Sequence, residues 1–271
     1  MLEINNLSIK VHNKYLIKDL SLILNKKDKL AVIGEEGNGK STFLKAILGI
    51  ADFAEVEGTI NIKENRIGYL EQSLTEDELE KTGYEYLFTS DEDYYNHVNS
   101  FYKYLDRLNL KDDLLDRKLK TLSGGEKVKI RIVKLLLEEY DILLLDEPTN
   151  DLDIETLEWL ETFINKLEQP VIYVSHDETL LSHTANMILH IEQIKHKTEC
   201  RHTLVRIDYD TYVVERLNKL NKQAQMAKSE KRKYQEQQSK LQQVIQKVEY
   251  QQNTISRSDP HGARLLKKKM H

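Results

Sequence analysis

Gly34-Glu35-Glu36-Gly37-Asn38-Gly39-Lys40-Ser41-Thr42 stands directly after a short aliphatic run, Lys29–Ile33, and opens a stretch of helical composition that runs towards Gly49. This is the spacing of a phosphate-binding loop. Its glycines let backbone N–H groups close around phosphate oxygens, and the N-terminus of the following helix adds its positive end. All nine residues are candidate contacts to a bound nucleotide. Lys40 would reach the β- and γ-phosphates, and the Ser41 hydroxyl would hold Mg²⁺. The chain around the loop agrees with an α/β domain. Lys29–Ile33, Ile142–Leu145 and Val171–Val174 are aliphatic runs suited to strands buried on both faces, and helical patterns separate them. Leu2–Val11 and Thr59–Tyr69 alternate more, and are expected to form a mainly antiparallel portion.

Two further segments carry chemistry. Ile142–Leu145 ends in Asp146-Glu147. A strand that delivers two carboxylates beside a phosphate loop places Asp146 to bind Mg²⁺, directly or through water. Glu147 is then the candidate general base for an attacking water. Leu122-Ser123-Gly124-Gly125-Glu126 heads a helix expected over Glu126–Glu138, and its adjacent glycines again expose N–H groups to an anion.

That pentapeptide, with the phosphate loop before it and the Asp-Glu pair after it, resembles the signature of the ATP-binding cassette family. The remaining family motifs follow in order. Gln72, after a strand expected at Arg66–Leu70, matches the glutamine that senses Mg²⁺ and γ-phosphate. Asn150-Asp151-Leu152-Asp153 matches the loop that communicates between two sites, with Asp153 as a candidate nucleotide contact. His176, closing a strand expected over Val171–Ser175, matches the switch histidine. The resemblance covers nearly all of residues 1–207. It implies an ABC-type P-loop NTPase domain with a mixed sheet and a helical subdomain at about 74–138, using ATP and Mg²⁺. It also implies that Ser123, Gly124, Gly125 and Glu126 serve nucleotide held by a facing cassette, so the ATPase is complete only when paired. The aromatic residue that stacks on adenine in the family is missing: Val11 occupies its place, with His12 or Tyr15 as substitutes.

Charge divides the chain. Residues 1–207 hold 26 Lys/Arg against 38 Asp/Glu, whereas residues 208–271 hold 14 against 7. An acidic globule followed by a basic extension suggests two jobs, the second facing a polyanion. Residues 209–252 contain neither Gly nor Pro, which predicts one helix about 65 Å long. Val213, Leu220, Ala227, Tyr234, Leu241, Val248 and Ile255 recur every seven residues in a broken, coiled-coil-like seam. Asp259-Pro260 reads as the start of a returning helix that the chain's end at His271 cuts short. No apolar run approaches the roughly 20 residues of a membrane span. The single cysteine, Cys200, excludes an internal disulfide framework and suits a reducing cytoplasm.

The position of the long helix separates the family's branches. DNA-repair ATPases of this superfamily insert their coiled coil before the signature, and here it follows His176. Asp146-Glu-Pro-Thr-Asn150-Asp-Leu-Asp153 resembles the ABC-F group, as do Tyr209, Tyr212 and Arg216 at the start of the helix and Ser258–Lys269 beyond it. Glu178 departs from the Arg usual in that group. The resemblance implies an ATPase that binds the ribosome and its rRNA through a basic linker, as a translation factor or an antibiotic ribosome-protection protein. The alternative is the nucleotide-binding subunit of a membrane transporter.

Overall fold

The computed structural model describes residues 1–62, 66–150, 152–194 and 199–258, with 251–258 as backbone only. Asp151, the side chain of Ile255 and the segment 259–271, with its expected returning helix, lie outside the described residues. Strands β1 (Leu2–Val11), β2 (Lys14–Leu24) and β3 (Lys29–Ile33) precede helix α1 (Lys40–Leu48). After β4 (Glu55–Asn61) and β5 (Ile67–Leu70) come α2 (Glu76–Glu80), α3 (Gly83–Leu87), α4 (Asp91–Arg107) and α5 (Gly124–Glu138). The chain then alternates through β6 (Ile142–Asp146), α6 (Ile154–Lys166), β7 (Val171–Val174), α7 (Glu178–Thr184), β8 (Met187–Ile194) and β9 (Glu199–Val205). Helix α8 runs from Tyr209 to Ser258.

The protein is mixed α/β, with two sheets. The larger has the order β5-β6-β7-β3-β8-β9, parallel except for β9, and the smaller is antiparallel with the order β2-β1-β4. Thr59–Tyr69 is therefore not one strand. Its first residues belong to β4 in the small sheet and its last to β5 in the large one. The strand expected at Arg66–Leu70 corresponds to β5, which is half to fully buried, whereas β4 is exposed except at Ile60. β2 was also absent from the expectations, although Leu16, Leu20, Leu22 and Leu24 are all buried there.

The aliphatic runs are buried on both faces, and the pleat sends alternate residues into different cores. Leu30, Val32, Ile142, Leu144, Ile172 and Val174 pack with β1, β2 and α1. Ala31, Leu143, Leu145, Val171 and Tyr173 pack with α5, α6 and α7. A third core, with Phe88, Phe101, Leu105, Leu114 and Leu119, lies in the helical segment 74–138. Helix α5 joins the last two: Val128, Ile132 and Leu135 face one, and Ile130, Val133 and Leu137 face the other.

Short helices in this segment start on local signals. Thr75 with Glu78, Thr82 with Glu85, and Ser123 with Glu126 each form a reciprocal capping box, the T/S-x-x-E pattern that satisfies two otherwise orphaned N–H groups. The Ser123 box starts α5 at Gly124, two residues before the expected Glu126.

Two compact units divide the chain, Met1–Tyr212 and Val213–His271. In the second, α8 continues through residue 258, six residues past the expected end. Leu217, Leu220, Tyr234, Leu241 and Ile245 are exposed along it. Among the described residues no helix is long and apolar enough to cross a membrane.

Candidate nucleotide site

The order of the parallel sheet sets up the site. β3 lies beside β7, β7 beside β6, and β6 beside β5. Their C-terminal ends therefore bring together the phosphate loop, Ser175-His176, Asp146-Glu147 and Gln72, from distant parts of the chain. Such an edge is the usual place for ligands in parallel α/β sheets. A cavity of about 1060 Å³ opens there, lined by Gly37, Gly39, Lys40, Ser41, Thr42 and Gln72, and also by Glu147 and His176.

The loop holds its shape by close packing. Gly34 has φ 148°, and a Cβ on it would fall 2.2 Å from the Ile191 carbonyl oxygen of β8. Only glycine fits that approach. Asn38 is buried and donates to the same Ile191 carbonyl at 3.2 Å. Its side chain anchors the loop to β8 and does not line the cavity. Glu36 lines the cavity, whereas Glu35 contributes its carbonyl, which accepts from Lys40 at 3.2 Å.

Lys40 is buried and donates to the Gly34 carbonyl at 2.8 Å. Burial holds its amine below the usual lysine range, and Glu147, Glu36 and Asp146 pull in the opposite direction. Its Nζ stands 2.9 Å from His176 Nε2, which in turn lies 3.3 Å from Glu147 Oε1. One neutral imidazole nitrogen cannot accept from Lys40 and donate to Glu147 together, so the tautomer chooses between them. Ser41 Oγ donates to Asp146 Oδ1 at 3.0 Å, and Tyr69 donates to Asp146 Oδ2 at 3.4 Å. Burial pushes the Asp146 carboxyl above the ordinary range, and the bonds from Ser41 and Tyr69 counteract it. Glu147 is also pushed up, first by burial and further by Asp146, against the pull of His176 and Lys40. Ser41 and Asp146 are hard oxygen donors in contact, with Gln72 on the same cavity. That donor set fits Mg²⁺, which takes few protein ligands and keeps the rest for phosphate and water.

The signature residues are placed elsewhere. Ser123 and Glu126 cap α5 on each other, and Glu126 also pairs with Arg117 at 3.2 Å. Asp153 caps α6, accepting from the Thr156 N–H at 2.8 Å. Ser123, Gly124, Gly125, Glu126 and Asp153 do not line the cavity around the phosphate loop. Several lining residues escaped sequence reasoning: Lys14, Leu16, Phe53, Thr149 and Asp177. Thr149 could have been found from its place between Glu147 and Asn150. Phe53 carries no motif and is brought in by the fold.

Comparison with known proteins bears on the family and the fold. The family model described as "ABC transporter" matches residues 17–150. "ABC transporter F family member 5" of Arabidopsis thaliana is 35% identical over 195 residues, 71% of this chain and 28% of that protein. "ATP-binding protein Uup" of Buchnera aphidicola subsp. Acyrthosiphon pisum is 38% identical over 192 residues, 68% of this chain and 31% of that protein. The chain thus spans about a third of the length of these curated relatives. Among solved structures, a nucleotide-free cassette from an ABC transporter superposes with TM-score 0.63 at 19% identity, covering 79% of this chain and 94% of that one. A dimeric cassette in a post-hydrolysis state with ADP and phosphate gives 0.58 at 22%, covering 75% and 98%. At those identities the likeness is one of fold. The chain belongs to the ATP-binding cassette family. Within that family it falls with the F group.

Proposed function

We propose that this chain binds Mg-ATP at the phosphate loop, hydrolyses it together with a second cassette, and acts in the cytoplasm on the ribosome. The observation that carries the ATPase reading is the meeting of Lys40, Ser41, Glu147 and His176 on one cavity, with the buried Asp146 bonded to Ser41 directly behind it. Bound Mg²⁺ supplies charge neutralisation at the β- and γ-phosphate oxygens. Ser41, Asp146 and Gln72 would hold that ion, and Lys40 would exchange its bond to the Gly34 carbonyl for phosphate. Glu147 takes a proton from the attacking water, its raised pKa improving it as a base. His176 orients that carboxylate and contacts the γ-phosphate.

The second cassette is supported by the absence of Ser123–Gly125 from the lining of the cavity. The Ser123 N–H is taken by Glu126, and the Gly124 and Gly125 N–H groups in the first turn of α5 are the ones offered to nucleotide held by a facing copy or by another cassette of the whole protein. The ribosomal part of the reading is supported by the F-group relatives and by the excess of Lys and Arg in residues 208–271, the proposed linker. Lys228, Lys231, Arg232 and Lys233 are exposed midway along α8. Contacts with rRNA phosphate release counterions, so affinity should fall steeply with salt. In the whole protein, reversing these four to Glu should abolish ATP-dependent co-sedimentation with ribosomes and leave ATP binding intact. Unchanged co-sedimentation across several salt concentrations would remove the helix from the interface. No ribosome association by the parent protein would move the transporter-subunit reading ahead.

A further inference from the structure

The cavity extends well past the phosphate loop, and its far side is built from the small antiparallel sheet. β1 and β2 join through His12-Asn13, both at positive φ (47° and 64°), the geometry of a two-residue type I′ hairpin. This fixes Val11 opposite Lys14, and both line the cavity. On the other side of β1 runs β4, with Lys10 paired to Glu55 and their side chains joined in an ion pair at 2.9 Å. Phe53 lies two residues before β4 and His12 directly after β1, and both line the cavity. A turn closed by the Ala54 N–H on the Ala51 carbonyl, at 2.9 Å, holds Phe53 there. Phe53 is 55% exposed and lines the same cavity as Lys40 and Ser41.

We propose that Phe53 is the residue on which the base of the bound nucleotide stacks. This rests on the nucleotide reading above and adds to it the site of the base. Val11, at the expected position of the stacking aromatic, has no flat face to offer. Tyr15 does not line the cavity, and Lys18 Nζ lies 5.6 Å from the centre of its ring. Phe53 offers a π-face at the rim of an apolar patch with Val11 and Leu16, which suits a planar heteroaromatic ring. The aromatic platform has in effect crossed from β1 to the turn before the neighbouring strand.

Calorimetric titration of this chain with Mg-ATP and, separately, with inorganic tripolyphosphate tests the assignment. Phe53→Ala should weaken ATP about tenfold, the order expected for loss of one base–aromatic stack, and leave tripolyphosphate unchanged. Phe53→Tyr should keep wild-type affinity for both. Retained tripolyphosphate binding by Phe53→Ala also serves as its folding control. Wild-type ATP affinity in Phe53→Ala overturns the assignment, as does an equal loss of tripolyphosphate. So does a tenfold loss that appears only in His12→Ala. If wild type binds neither ligand, the nucleotide reading fails with it, an outcome distinct from a failure of Phe53 alone.

Discussion

Glu147 has φ 49°, the left-handed region that a residue with a Cβ enters at a cost of order 1–3 kcal/mol. Its N–H donates to the Val174 carbonyl at 3.0 Å, so β7 holds the residue in that conformation just beyond the end of β6. The side chain is then 12% exposed and faces His176, which is 51% exposed. Strain held at a carboxylate beside a phosphate loop fits a base positioned before substrate arrives. Glu147→Gln keeps size and hydrogen bonding but removes the basic oxygen. Its hydrolysis should fall at least ~10²-fold while nucleotide binding survives, as measured by phosphate release and equilibrium titration in parallel. Lys40→Ala should behave in the opposite way, losing affinity for Mg-ATP because the cation opposite the β- and γ-phosphates is gone. Equal affinity in wild type and Lys40→Ala would place Lys40 outside the site.

At the scale of elements, α5 is where stability and chemistry overlap. It packs into two cores, and Arg131 on it is buried and donates to the Glu71 carbonyl next to Gln72. Gly125 in its first turn is close-packed on α6: a Cβ there would lie 2.4 Å from Thr156 Oγ1. The glycine is thus required by helix packing even without nucleotide. Gly125→Ala should destabilise the protein by about 1–3 kcal/mol in urea denaturation without ligand, the usual cost of overpacking. Adding Thr156→Ala removes the closest atom and should recover most of the loss. No recovery would mean that the strain lies elsewhere than at the α5–α6 contact.

At the scale of the whole molecule, the phosphate loop and the signature are in one compact unit but do not share a cavity. The cavity holds Lys40, Glu147 and His176 and lacks Ser123–Gly125. The chain alone should therefore hydrolyse ATP poorly, with activity rising more steeply than linearly with protein concentration as cassettes pair. A high specific activity independent of concentration, from a species shown by sedimentation to be a monomer, would contradict a shared site.

Local chemistry made much of this protein legible without coordinates. The glycine loop after β3 and the carboxylates after β6 depend on backbone conformation and spacing within a few residues, and linear sequence records those directly. The aliphatic runs of β3, β6 and β7 were equally readable, because a strand buried on both faces has no polar side to disguise it. Tertiary structure alone decided the rest. The split of Thr59–Tyr69 between two sheets, the close contact of Gly125 with Thr156, and the arrival of Phe53 on the cavity that Lys40 lines all join positions whose partners are set by the tertiary fold. Pairing of that kind leaves no local mark, since an exposed phenylalanine in a turn looks the same in sequence whether it faces water or a ligand.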